Sequence, residues 1–149
     1  MAAGVRPAGS SDLELLLGLH EEFSREDGAA FEPAAACAAL AGLLREPSLG
    51  GAWIIEHEGQ PAGYLVLCFG YSIEFRGRDA FLDEIYVRRD MRGRGLARQA
   101  LEVAQAECLK AGVRALHLEV RRGNEAARDL YRRSGFVERE SYLMTCKLR

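Results

Sequence analysis

Gly93 and Gly95 stand among Arg92, Arg94 and Arg98, shortly after an apolar run that ends in Ile85, Tyr86 and Val87. The stretch 79–97, DAFLDEIYVRRDMRGRGLA, reads as a strand, a polar glycine loop, and the start of an amphipathic helix that runs to Gly112. Such a junction directs several unpaired backbone N–H groups at one point, where the positive end of the helix dipole adds to the pull on an anion. Glycine lets backbone approach closely, and guanidinium forks suit phosphate oxygens. These residues are equipped to cradle a pyrophosphate. A dinucleotide fingerprint needs a small residue where this chain has Arg98, and no G-x-x-x-x-G-K-[ST] occurs, so neither common nucleotide loop fits. The plain alternative is a basic turn that begins a surface helix.

Carboxylates form the second set of candidates. Asp83 and Glu84 lie in the strand before the loop, Glu119 sits in a later apolar run, and Glu21, Glu22 and Glu26 crowd the end of the first helix. Each could face a cationic ligand, and each has an ordinary reading as a salt-bridged or solvated residue. Strict strand alternation sends Asp83 and Glu84 to opposite faces, so that one of them reaches a given ligand. His20 falls on the apolar face of its helix and reads as a core-edge histidine. Cys37, Cys68, Cys108 and Cys146 make no C-x-x-C, and His20, His57 and His117 show no ligand spacing with them, so no metal is expected. Thiols embedded among apolar residues fit a reducing compartment.

The elements that must position these groups follow from the pattern of the chain. With 149 residues, 48% hydrophobic and 28% charged, it reads as one globular domain, 1–149. A net charge of −2 and the lack of an aromatic stacking platform argue against a nucleic-acid partner. The N-terminal run lacks the apolar core of a signal peptide, and no stretch approaches transmembrane length, which points to the cytoplasm.

A short strand at 4–6 precedes a helix capped by Ser10 or Ser11, with Leu13, Leu16, Leu17, His20 and Phe23 on one face. Pro33 opens a second helix that Pro47 stops. Strands at 52–58, 62–72 and 79–87 are joined by turns into an antiparallel meander. A helix from Gly95 and a strand at 114–121 make a right-handed crossover that lays the two flanking strands parallel. Leu116, Leu118 and Val120 then point one way, His117 and Glu119 the other. Asn124 caps a last helix that Gly135 ends, and 136–139 and 142–148 read as closing strands. The fold class is α+β, with a mixed, mainly antiparallel sheet flanked by helices.

Arg92-x-x-Gly95-x-Ala97, directly after an apolar strand, resembles the acetyl-CoA loop [QR]-x-x-G-x-[GA] of the GNAT superfamily of N-acetyltransferases. The stretch 118–136, LEVRRGNEAARDLYRRSGF, is similar to the second signature of that family, L-x-V-x-x-x-N-x-x-A-x-x-L-Y-x-x-x-G-F. The resemblance implies acetyl-CoA as donor, no metal, and a primary amine as acceptor, by direct transfer in a ternary complex. It implies that backbone from Arg92 through Gly93, Arg94, Gly95, Leu96 and Ala97 to Arg98 holds the pyrophosphate. Ile85, Tyr86 and Val87 would line the pantetheine arm between two parted parallel strands, the first of which is often bulged. Asn124 matches a position that contacts the arm, although a helix cap explains it equally.

Tyr131 matches the general acid near the sulfur. Glu119 resembles the base of enzymes that acetylate ribosomal-protein N-termini, and L-D-E-I-Y-V around Glu84 is similar to a segment of polyamine acetyltransferases. Glu84 is thus a second candidate for the base, and Asp83, Glu84 and Glu22 are expected at the acceptor. A homodimer is also implied. Two other readings compete: a CoA-binding module without catalysis, and a nucleic-acid-binding domain that uses the arginines of 88–98.

Overall fold

The computed structural model describes residues 4–149 and packs as two compact units, one through Glu119 and the other Val120–Arg149. In the first unit, apolar residues alternating along the strands bury both faces of one sheet. Strands β1 (Gly4–Pro7), β2 (Gly50–His57), β3 (Gln60–Ser72) and β4 (Gly77–Val87) lie side by side in that order, each antiparallel to the next. Strand β5 (Ala115–His117) joins β4 in parallel, pairing with Asp79, Ala80 and Phe81. The mixed, mainly antiparallel sheet and its parallel crossover are those expected from the sequence.

One face buries Ala52, Ile54, Tyr64, Val66 and Tyr86 against Leu16, Leu19 and Leu40. These leucines come from helices α1 (Leu13–Asp27) and α2 (Pro33–Arg45). The opposite parity, Trp53, Ile55, Leu65 and Leu67, is buried as well. That face is covered by α3 (Leu96–Lys110), which buries Leu96, Ala100, Leu101, Ala104 and Cys108. A fully buried leucine stabilises by about 1.5–3 kcal/mol, so Leu16 and Leu19, both wholly buried, fix α1 firmly on the sheet. His20 is on that helix.

Helix boundaries follow local chemistry. Neither Ser10 nor Ser11 caps α1; Ser10–Asp12 forms a 3₁₀ turn, and the Asp12 carboxylate accepts the Gly9 N–H at 2.8 Å and a two-pronged bond from Arg6. Hydrogen bonding from Arg6, with that from the Gly9 amide, holds the Asp12 carboxyl below the usual range. Pro33 occupies the first turn of α2, where its missing N–H costs nothing.

The second unit contains α4 (Glu125–Arg133), started by Asn124, whose Oδ1 accepts the Ala127 N–H at 3.2 Å. Two expectations are corrected. The strand foreseen at 114–121 ends at His117, and residues 136–139 and 142–148 form no strand. An alternating apolar pattern makes a strand only where an edge accepts it. Strand β4 bends just beyond Phe81, where its pairing with β5 ends at His117, and Tyr142, Leu143, Met144 and Leu148 are exposed.

Candidate functional site

The bend in β4 is a bulge. Val66 of β3 pairs with Glu84 while the next residue, Leu67, pairs with Leu82, which leaves Asp83 as the extra residue. Cross-strand partners share a face, so Phe81 goes with Cys68, Glu84 with Val66 and Tyr86 with Tyr64, all on the side of α1 and α2. The alternation therefore slips by one at Asp83. Asp83 and Glu84, expected on opposite faces, instead line one cavity of about 500 Å³. Its walls are Ala36, Ala39, Leu40 and Leu43 of α2 with Leu49, Val66, Cys68 and Phe69, and His20 completes it. Two carboxylates against an aliphatic wall suit a cation on a short apolar stem.

Glu84 is the better fixed of the pair. The Tyr64 hydroxyl donates to its Oε1 at 2.7 Å, and His20 Nδ1 lies 3.0 Å from the same oxygen. Tyr64 is wholly buried, and burial together with the charges of Glu84 and Asp83 pushes its phenol far up, so it is a donor at any working pH. Burial, with Asp83 and Glu84, also raises the Cys68 thiol and keeps it from acting as a thiolate. Asp79, earlier in β4, pairs with His117 at 3.2 Å, and Glu22, expected at the acceptor, forms a two-pronged ion pair with Arg88 at 3.0 and 3.2 Å.

Beyond the bulge, β4 delivers backbone. The Arg88 N–H donates to the Ala62 carbonyl at 2.8 Å. Alternate residues of an antiparallel ladder bond to the partner, so Glu84 and Tyr86 face β3, while Ile85 and Val87 turn their N–H and C=O toward the side where β5 has already ended. The Val87 carbonyl accepts from Arg92 Nε at 2.8 Å, as that direction requires. The parallel strands thus part alongside Ile85, Tyr86 and Val87.

The loop follows at once. After a 3₁₀ turn at Arg89–Met91, Gly93 and Gly95 take left-handed conformations, φ +79° and +76°. A Cβ on either would meet nothing within 4 Å, so glycine is required by backbone shape and the space outside the loop is open. The first bond of α3 runs from the Gln99 N–H to the Gly95 carbonyl at 3.1 Å, which leaves the N–H groups of Leu96, Ala97 and Arg98 without intrahelical partners.

The arginines divide into two groups. Arg92 turns back to Glu26 and lies 5.8 Å from the Tyr86 ring centre; like Arg88, it fastens the loop to the end of α1. Arg94 is exposed, and Arg98, also exposed, lies 3.5 Å from Glu102, so both arginines of the stretch that carries the orphan amides keep their side chains open to solvent. Sequence reasoning gave Arg92 and Arg94 the same task. The signal that separates them, Glu26 one helix away, is tertiary.

Glu119 is exposed and lies beyond the end of β5, so the alternation foreseen for 116–120 stops at His117. In the second unit, Tyr131 packs edge-on against Phe136 at 6.0 Å, and burial raises its phenol. A tyrosine in that state keeps its proton at neutral pH, as a proton donor must. Asn124 serves as the cap of α4. His20, Tyr64 and the α2 wall were not foreseen as site residues; the available hint was a histidine on an otherwise apolar helix face.

The fold recurs in solved structures. An integron cassette protein from the mobile metagenome of Cole Harbour Salt Marsh superposes with a TM-score of 0.88 at 36% identity, over 97% of this chain and 90% of that one. An aminoglycoside N-acetyltransferase in complex with CoA has the same fold, with a TM-score of 0.83 at 20% identity over 99% and 95% of the two chains. Residues 14–136 match the model of the acetyltransferase (GNAT) family, and the chain belongs to that family. It is also 32% identical, over 87 residues, to thialysine N-epsilon-acetyltransferase of Bos taurus. That alignment covers 55% of this chain and 51% of the bovine protein, so the chain spans about half the length of that curated relative.

Proposed function

We propose that this protein transfers an acetyl group from acetyl-CoA to a primary amine, directly, in a ternary complex. The observation that carries the reading is β4 itself: two carboxylates in a cavity at its bulge, a glycine loop with orphan amides at its end, and between them Ile85, Tyr86 and Val87 with backbone turned to the parted side. A phosphate group held by the amides of 93–98, with Arg94 and Arg98, would start an arm along those three residues. The sulfur end of that arm then arrives at the cavity of Asp83 and Glu84.

The chemistry asks little more of the chain. A neutral amine nitrogen attacks the thioester carbonyl, the oxyanion forms near the outward N–H of Ile85 or Val87, and the adduct collapses to amide and thiol. We assign the proton for the departing sulfur to Tyr131, from its place in the second signature and its raised phenol. Of the two acids, the geometry favours Glu84 over the exposed Glu119 for handling the amine's proton, either itself or through the His20 ring bonded to it. Asp83 holds the cation, while Glu22, paired with Arg88, shapes the rim. An acceptor carrying its amine on a short aliphatic stem fits the α2 wall, and the bovine relative is named for an N-epsilon transfer to thialysine. We further propose a single catalytic domain acting as a cytoplasmic homodimer.

Thiol release from acetyl-CoA, measured across alkyl diamines, lysine, thialysine, an aminoglycoside and peptides with free N-termini, tests this. Turnover with a cationic amine is expected. Stabilisation by acetyl-CoA with no turnover on any amine would leave a binding module. Salt-sensitive RNA binding without CoA-dependent stabilisation would favour a nucleic-acid domain.

A further inference from the structure

We propose that His20 is the group that takes the proton from the acceptor ammonium, and that Glu84 and Tyr64 are positioning residues that hold its imidazole in the form able to do so. This rests on the acetyl-transfer reading and assigns a role that the family signatures leave open, since neither signature includes α1.

The tautomer follows from donor and acceptor arithmetic. A carboxylate only accepts, and Glu84 Oε1 lies 2.7 Å from the Tyr64 hydroxyl and 3.0 Å from His20 Nδ1. Both neighbours must therefore present hydrogen to it, so His20 carries its proton on Nδ1. The lone pair is then on Nε2, on the opposite side of a ring that lines the acceptor cavity and keeps 24% of its side chain accessible. A carboxylate that orients a histidine and stabilises the imidazolium is a recurring way to make a base, and Glu84, with 21% of its side chain accessible, is half-buried in that place.

The groups around the ring permit the role. Tyr64 and Glu84 face Nδ1, Asp83 and Cys68 line the same cavity, and the Phe31 ring lies 6.0 Å from that of His20. The α2 wall contributes Ala, Leu and Gly only, so no cation of the cavity lining competes for the carboxylates. Glu84 in its bulge cannot be both anchor and base with equal ease. Its Oε1 already accepts twice, whereas Nε2 has no hydrogen-bond partner among the described residues.

The step balances. An N–H bond of the ammonium breaks, its electron pair stays on the nitrogen, and the proton bonds to His20 Nε2. The imidazolium, paired with Glu84, returns that proton to water through the open cavity. Of the two protons that leave the nitrogen, this is the first; the second departs as the tetrahedral adduct collapses and is matched by the one that ends on the thiol.

The test has two arms, both on the full chain. Nitrogen-detected NMR of the imidazole, assigned by its loss in His20→Gln, reads the tautomer without any turnover. Protonation on Nδ1 is expected, shifting toward the Nε2–H form in Glu84→Gln. A resting Nε2–H tautomer would overturn the assignment. In kinetics with cadaverine, or whichever panel amine the unaltered chain acetylates fastest, His20→Gln should lower kcat/KM for the amine by about 100-fold or more at neutral pH. The loss should shrink as pH rises, with acetyl-CoA affinity by calorimetry unchanged. His20→Ala should regain activity with added imidazole, in proportion to its free base, which a merely structural histidine would not do. Activity of His20→Gln within about threefold of the unaltered chain at every pH would refute the role of His20 while leaving acetyl transfer intact. No turnover by the unaltered chain on any amine would refute both.

Discussion

Deleting Asp83 should leave the fold standing and remove the proposed cofactor slot. Without the bulged residue the ladder runs uninterrupted, with Leu82 opposite Leu67 and Glu84 opposite Val66, and every buried side chain keeps its face. Thermal stability should therefore change little, by at most about 1 kcal/mol, within the range of β-pairing effects. A straightened β4, however, stays beside its parallel neighbour past Phe81, and the outward backbone of Ile85 and Val87 is no longer free for a ligand. Loss of two backbone hydrogen bonds at about 1 kcal/mol each corresponds to roughly 30-fold in affinity. Titration calorimetry with acetyl-CoA measures it. Asp83→Asn is the control: it keeps the bulge and removes the charge, so acetyl-CoA affinity should hold while the KM for the amine rises. A deletion variant that is well folded and binds acetyl-CoA as tightly as the unaltered chain would refute the link between bulge and slot.

Other perturbations separate the remaining parts. Gly95→Val forces a β-branched residue to φ +76° and should cost about 1–3 kcal/mol of stability, yet weaken acetyl-CoA binding at least tenfold in calorimetry beyond what unfolding explains; unchanged affinity removes the loop from the site. Arg92→Ala should lower the melting temperature and spare acetyl-CoA affinity relative to Arg94→Ala, which should do the reverse, because Arg92 is bound to Glu26 and Val87. Tyr131→Phe should cut kcat about 100-fold in a chemistry-limited assay with cofactor affinity intact, and full kcat would exclude the hydroxyl as the acid. Asp12 has its pKa depressed in the fold, chiefly by Arg6, so its contribution is present above the ordinary aspartate value of about 3.9 and is lost as pH falls through the lower folded value. Asp12→Asn should flatten that part of a stability–pH curve, and an unaltered curve would contradict it.

Much of this was legible in the chain because it is local. The glycine loop announces itself through residue type, and the meander and crossover follow from periodicity and turn residues. The bulge was also within reach. Ala80 and Leu82 are apolar at even positions, Ile85 and Val87 at odd ones, and the acidic pair at 83–84 sits where the parity changes. Reading strict alternation through that pair sent Asp83 and Glu84 to opposite faces. What sequence could not supply was tertiary pairing: Glu26 with Arg92, Glu22 with Arg88, and His20 and Tyr64 with Glu84 all join residues far apart in the chain. The closing strands were misjudged for a related reason, since composition reports the fitness of a segment for a strand and says nothing of the edge that must receive it.

Rapid mixing of the protein with acetyl-CoA and a cationic primary amine, followed by mass spectrometry of small molecules and protein together, tests acetyl transfer most directly. Acetylated amine and free CoA should appear in equal amounts, only when both substrates are present, with no acetyl group on the protein at any time. Acetyl-CoA that binds and is never consumed with any amine, or an acetyl group that appears on the protein before it appears on the amine, would contradict direct transfer at the β4 site.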